Sequence, residues 1–303
     1  MGEFFQGAVA FFPVALVVVV IMEVSHLFEE LFTVRAQLRK GFVGAKSNVF
    51  RIFSRHLLRL LRMSGTGAQN IGAGFKFIII FLAVGLLPVW PGTVALPVNH
   101  SLWIFVGLML MGPVFYLVFE WAFKKGRGWP IVLVAAERTI GSATVLFILS
   151  ITLVAMTGSD NFLDFHKSQS TGGWLIFRNP MAILLLITFA VVNLFSSFQT
   201  IFARTGDEKQ TGWSFNEMIL PLRSSVWSIF IADVFLGGAH LENFMGVLLL
   251  ISKGVGVNIA SVIISHLFFQ LREDQAESFI LWRLGPLSIV ILAFCLLFPG
   301  GVS

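Results

Sequence analysis

Eight apolar runs dominate this chain of 303 residues, near 7–24, 75–90, 101–122, 140–157, 180–202, 222–238, 243–269 and 279–299. Each approaches the length a helix needs to cross a hydrocarbon core of about 30 Å. Lipid offers backbone N–H and C=O groups no water to bond, so helices, which satisfy those groups within one segment, are the expected elements. A composition 56% apolar and 12% charged leaves too few polar residues to cover a soluble domain of this size. The expected fold class is an all-α integral membrane protein of eight transmembrane helices. Residues 1–303 show no internal repeat, low-complexity linker or second domain, and read as a single transmembrane domain.

Orientation follows from the basic residues. Segments after odd-numbered runs hold 18 of the 21 Lys and Arg, nine of them between Arg35 and Lys76. Lys167 and Arg178 lie on the other side, and Lys253 lies inside the seventh run. Basic loops stay cytoplasmic, so both termini are expected outside, in a cytoplasmic (inner) membrane. The net charge of +5 reflects this bias. It implies the lipid bilayer as a partner and no nucleic acid. The first run lacks a basic leader and a small-residue cleavage site, and is expected to be retained.

The first cytoplasmic loop, about 25–74, carries Arg51, Arg55, Arg59 and Arg62 on one helical face, with Phe50, Phe53, Leu57, Leu60 and Leu61 opposite. That pattern predicts an amphipathic helix at the membrane surface, either a plain interfacial anchor or a docking surface for a soluble partner. The polar stretch 158–178 is expected to form an outer loop over the mouth of the bundle, and it carries no recognisable motif.

Several chemistries lack their residues. The single Cys295 excludes an intramolecular disulfide and a protein-held iron–sulfur cluster. No Gly-rich phosphate cradle and no nucleophile elbow occurs. None of the six histidines has the i, i+4 partner of a metal or haem pair. The chain is thus expected to be non-catalytic and to hold no cofactor of its own. What remains are ionisable residues at membrane depth: Glu23, Glu120, Asp233 and Lys253, with Glu137 and Arg138 at the entrance to the fourth run. Such charges usually face the bundle interior or a water-filled path, although Glu23 and Glu120 lie near run ends and can snorkel. Asp233 and Lys253 lie deeper, in runs joined by a short turn, and are read either as a structural ion pair or as part of a proton path.

Three stretches resemble one family. Glu29, Gln37, Arg39 and Gly41, with Arg59 at a Lys position, match the segment after the first span of subunit 1 of respiratory complex I, the NADH-quinone oxidoreductase, and of the membrane-anchor subunit of membrane-bound hydrogenases. Phe42 and His56 depart from that pattern. Trp121-Ala122, Ala135-Ala136 and Ile140 match the segment between the family's third and fourth spans, with Glu120, Val134, Arg138 and Ala143 as departures. Lys253, followed by Arg272, Asp274 and Gln275, resembles the family's Lys and its Arg-x-Asp-Gln loop, and Trp282 and Pro286 follow with a one-residue slip.

The resemblance implies a divergent membrane subunit of a complex I-like oxidoreductase. Its partners would be soluble electron-transfer subunits with iron–sulfur clusters and antiporter-like membrane subunits, with quinone at the interface to the soluble arm. Docking would use Gln37, Arg39, Arg59, Arg272, Asp274 and Gln275. A proton path would use Asp233, Lys253, Glu120, Glu137, Glu208 and Glu217. The family's carboxylate-rich loop after the fifth span departs most, since Leu194, Ile201, Arg204 and Gly206 stand where it has Glu or Asp, and only Glu208, Gly212 and Glu217 look retained. Such replacements remove groups whose movable pKa values allow proton exchange. Two alternatives therefore stand beside the coupling subunit. One is a structural anchor with the quinone-linked proton path lost. The other is a stand-alone secondary transporter, in which Gly254 and Gly256 beside Lys253 would break the seventh helix.

Overall fold

A computed structural model describes residues 14–25, 67–89, 94–123, 129–198, 215–239, 244–267, 275 and 278–297. Within them lie α1 (Val14–Ser25), α2 (Gly67–Gly85), α3 (Ser101–Phe123) and α4 (Trp129–Thr157). Then come α5 (Phe162–Gly172), a single turn α6 (Leu175–Arg178), α7 (Pro180–Phe198), α8 (Phe215–Leu236) and α9 (Phe244–Leu267). A π-helical turn, Ile280–Leu284, leads into α10 (Gly285–Leu297). No strand occurs among the described residues.

A helix lies at each of the eight apolar runs. The stretches Thr139–Thr157, Phe244–Ser261 and Ile280–Leu297 are long and apolar enough to cross a membrane, and Val14–Ser25, Ser101–Met111 and Pro180–Val192 are shorter apolar helices. The protein is all-helical among the described residues and of membrane class. Helices α2 and α4 begin well before the runs at 75–90 and 140–157. Hydropathy marks where lipid contact ends, whereas the backbone ladder continues until something stops it. At α4 the start coincides with Pro130, whose missing N–H is harmless in a first turn.

Hydroxyls inside the apolar helices bond back to their own ladder. Ser150 donates to Leu146 O, Thr152 to Ile148 O, Thr188 to Leu184 O and Ser228 to Ser224 O. Without water, this satisfies a buried hydroxyl at little cost.

Helix α8 forms the centre, packed by α2, α5, α6, α7 and α9. Its residues from Ser225 to Phe235 are buried on every side. Phe105 of α3, Phe162 of α5 and Phe189 of α7 surround Trp227 and Phe230, with ring centroids 5.0–5.6 Å apart for Phe105–Phe230, Phe189–Phe230 and Phe105–Trp227. Each such contact adds about 0.5–1.5 kcal/mol beyond burial, and together they fix α8 in rotation. Outward faces carry Leu16, Ile78, Phe147, Ile187, Leu248 and Val290, all exposed, as lipid-facing positions require.

One expectation is corrected. The stretch 158–178, expected as an outer loop, holds α5 and α6. Asn161 caps α5 by accepting from Leu163 N at 3.1 Å, Asp164 occupies its first turn, and Gly173 at φ +83 ends it. Ser101 Oγ accepts from Phe162 N at 2.9 Å, and Leu102 N donates to Asp160 O at 3.1 Å, so the start of α3 holds the start of α5. The helix expected around Arg51–Arg62 lies outside the described residues.

Candidate functional site beneath the polar lid

Helix α8 stops because Gly237 and Gly238 turn left-handed, at φ +76 and +49. A helix end leaves carbonyls without intrahelical partners, and where that end is buried each needs another donor. Here three sources supply one. Gly238 N donates to Ala232 O at 3.0 Å. Gln169 Nε2, from α5, donates to Asp233 O at 3.3 Å and to Val234 O. Lys253 Nζ, from α9, donates to Leu236 O at 2.6 Å and Gly238 O at 2.9 Å. The same ammonium stands 4.6 Å from the centroid of the Trp174 ring, in the linker between α5 and α6. A cation over an aromatic face and at a helix C-terminus is stabilised twice.

Within this end sits Asp233. Its side chain is 0% exposed, and neither carboxylate oxygen makes a hydrogen bond among the described residues. His166 Nδ1 of α5 is 3.9 Å from Asp233 Oδ1, and the imidazole is 11% exposed. Glycine at 238 makes the approach feasible, since a Cβ there would collide with Asp233 Oδ1 and lie 3.3 Å from His166 Nδ1. Likewise a Cβ at Gly237 would stand 2.6 Å from Trp174 Cδ1. Both glycines serve the turn and the close packing together.

A second polar layer lies deeper. Asn258, on α9, accepts from Ser224 Oγ at 2.7 Å and donates to Ser25 Oγ at 2.9 Å and Ser225 Oγ at 3.4 Å. It thereby ties α1, α8 and α9. One turn nearer the lid, Ile21 packs against Gly254, where a Cβ would stand 2.8 Å from Ile21 Cδ1. Ser225 precedes Asp233 by eight residues, about 12 Å of helix. The buried Arg223 lies beside this layer in sequence, and its Nε has no hydrogen bond among the described residues.

The two deep residues singled out from sequence, Asp233 and Lys253, meet at the same helix end but are not bonded to one another. The ammonium is spent on backbone carbonyls. Gly254 and Gly256 do not break α9, which runs without interruption from Phe244 to Leu267. Glu23 lies half-buried near the end of α1, and Gln275 is exposed. Glu120, Glu137 and Glu217 fall on α3, α4 and α8, where only the backbone is described. Gln37, Arg39, Arg59, Glu208, Arg272 and Asp274 lie outside the described residues. Sequence reasoning missed His166, Gln169 and Trp174. The available signal was an N-capping Asn161, Asp164 in the first turn, and Phe162, Phe165 and Gln169 at helical spacing, which is a short amphipathic helix pattern.

Among the described residues no group of His, Cys, Asp and Glu could hold a metal ion. No protein-family model matches this chain, and no curated protein matches its sequence.

Proposed function

We propose that the chain is an eight-span membrane subunit, N-out and C-out, of a complex I-like ion-translocating oxidoreductase assembly. In that reading it anchors the soluble electron-transfer arm, with its iron–sulfur subunits, through the cytoplasmic basic loops, and it links that arm to antiporter-like membrane neighbours. The observation that carries the reading is Lys253. It stands in the third of the stretches that resemble the family, and two backbone carbonyls and an aromatic ring hold its ammonium. A charge inside an apolar run usually faces the bundle interior or a water-filled path and marks a functional position. An unbroken α9 favours a subunit over a stand-alone transporter of the broken-helix type.

A second reading, a structural anchor with the quinone-linked path closed, has its own support. Lys253 caps α8 and makes no bond to Asp233, and the family's carboxylate-rich loop is replaced by Leu194, Ile201, Arg204 and Gly206.

Purification of the tagged chain in a mild detergent tests the assembly. Co-purifying subunits with iron–sulfur absorbance and antiporter-like subunits are expected. A monodisperse single-chain bundle from native membranes would overturn the subunit reading.

A further inference from the structure

Helix α5 is built as a lid whose inner face is specified residue by residue. Phe162 and Phe165 enter the aromatic core, with ring centroids 5.9 Å apart, and Phe162 lies 5.9 Å from Phe230. Gln169 clamps the last carbonyls of α8. One turn before Gln169, on the same face, His166 is therefore held in place over Asp233. The imidazole keeps an exposed edge while the carboxyl group has none, at 11% and 0%. A carboxyl buried without a hydrogen bond among the described residues is costly, and such a group calls for a physical explanation.

The geometry points to His166 and Asp233 as a proton-exchange pair, in which the imidazole carries protons between the water on the lid side and the buried carboxyl group. The step balances simply. An imidazolium Nδ1–H bond breaks, an O–H bond forms on Asp233, and the imidazole is left neutral with its proton on Nε2. The ring must turn to present the freed Nδ1 to water before it takes the next proton. Closing 3.9 Å to hydrogen-bond distance takes about 1 Å of side-chain movement, a gap common in resting proton-transfer sites. Gly238 leaves that room. Among the described residues Lys253 is the other charged group of this end. Its ammonium is fixed on Leu236 O and Gly238 O, so it biases the carboxyl group without exchanging with it. On α5 itself Asp164 and Lys167 lie on the exposed face, and Arg178 of α6 donates to Ser168. This site concerns the lid side alone and does not depend on which assembly the chain joins.

The test uses the full chain in nanodiscs and infrared difference spectroscopy after a pH jump. A protonated-carboxyl C=O band that responds to pH in the unmodified protein and is lost in Asp233→Asn is expected. In His166→Phe and His166→Gln that band should follow the jump on the order of 100-fold more slowly. An unchanged rate in a folded His166 variant overturns the pair, as does a band that survives Asp233→Asn. Should both His166 variants unfold, transfer of the unmodified protein into D2O decides. A prompt isotope shift of the Asp233 band supports exchange, and a band that stays unshifted refutes it.

Discussion

Replacing Lys253 with Met removes a charge but keeps much of the side-chain bulk. The ammonium donates to Leu236 O at 2.6 Å and Gly238 O at 2.9 Å, and faces the Trp174 ring at 4.6 Å. Hydrogen bonds to a charged group contribute about 1.5–3 kcal/mol each. The ring adds about 0.5–2 kcal/mol. Against this stands the cost of desolvating the ammonium, which is several kcal/mol for a fully buried ion and smaller for the half-buried Lys253. The balance is a loss of about 2–4 kcal/mol, the stranded carbonyls supplying most of it. A double cycle with Asp233→Asn then separates two physical pictures. A direct buried ion pair would show a coupling of about 3–5 kcal/mol, the double variant recovering most of the single loss. Because Lys253 bonds backbone and not carboxylate, the coupling should be about 1 kcal/mol or less. Reversible unfolding in mixed micelles, followed by loss of helical circular dichroism, gives the four free energies. A coupling above about 3 kcal/mol would refute the capping account, as would a Lys253→Met loss below about 1 kcal/mol.

Gln169→Ala should cost about 1–2 kcal/mol and raise amide exchange in the last turn of α8, since Asp233 O and Val234 O lose their donor. Unchanged exchange there would show that the lid does not cap the helix. Gly238→Ala should cost well over the roughly 1 kcal/mol of a left-handed backbone, because its Cβ meets Asp233 Oδ1. In an Asp233→Ala background the penalty should fall to that backbone cost, as read from paired melting curves. For topology, cysteines placed at Arg39 and Arg272 should label from the cytoplasmic side only, and labelling from outside would reverse the orientation.

Sequence alone marked this protein as of membrane class and placed a helix at each apolar run. Of these, Thr139–Thr157, Phe244–Ser261 and Ile280–Leu297 are long and apolar enough to cross. Apolar run length is a local property, and in lipid a run of that length has only one way to satisfy its backbone. Asp233 and Lys253 were legible for the same reason, since a charge inside an apolar run stands out wherever the chain folds. Their relation was not. Fifteen to seventeen residues of sequence separate Gly238 and Leu236 from Lys253, and only the packing of α8 against α9 decided that the ammonium meets carbonyls rather than the carboxylate. The polar stretch 158–178 reads as a loop because its composition suits water as well as a lid. Whether Gln169 and His166 turn inward depends on Phe162 and Phe165 finding the aromatic core, and that core is assembled from α3, α7 and α8. The left-handed turn at Gly237 and Gly238 is similar. Two glycines permit it, but the closeness of Trp174, Asp233 and His166 is what requires them.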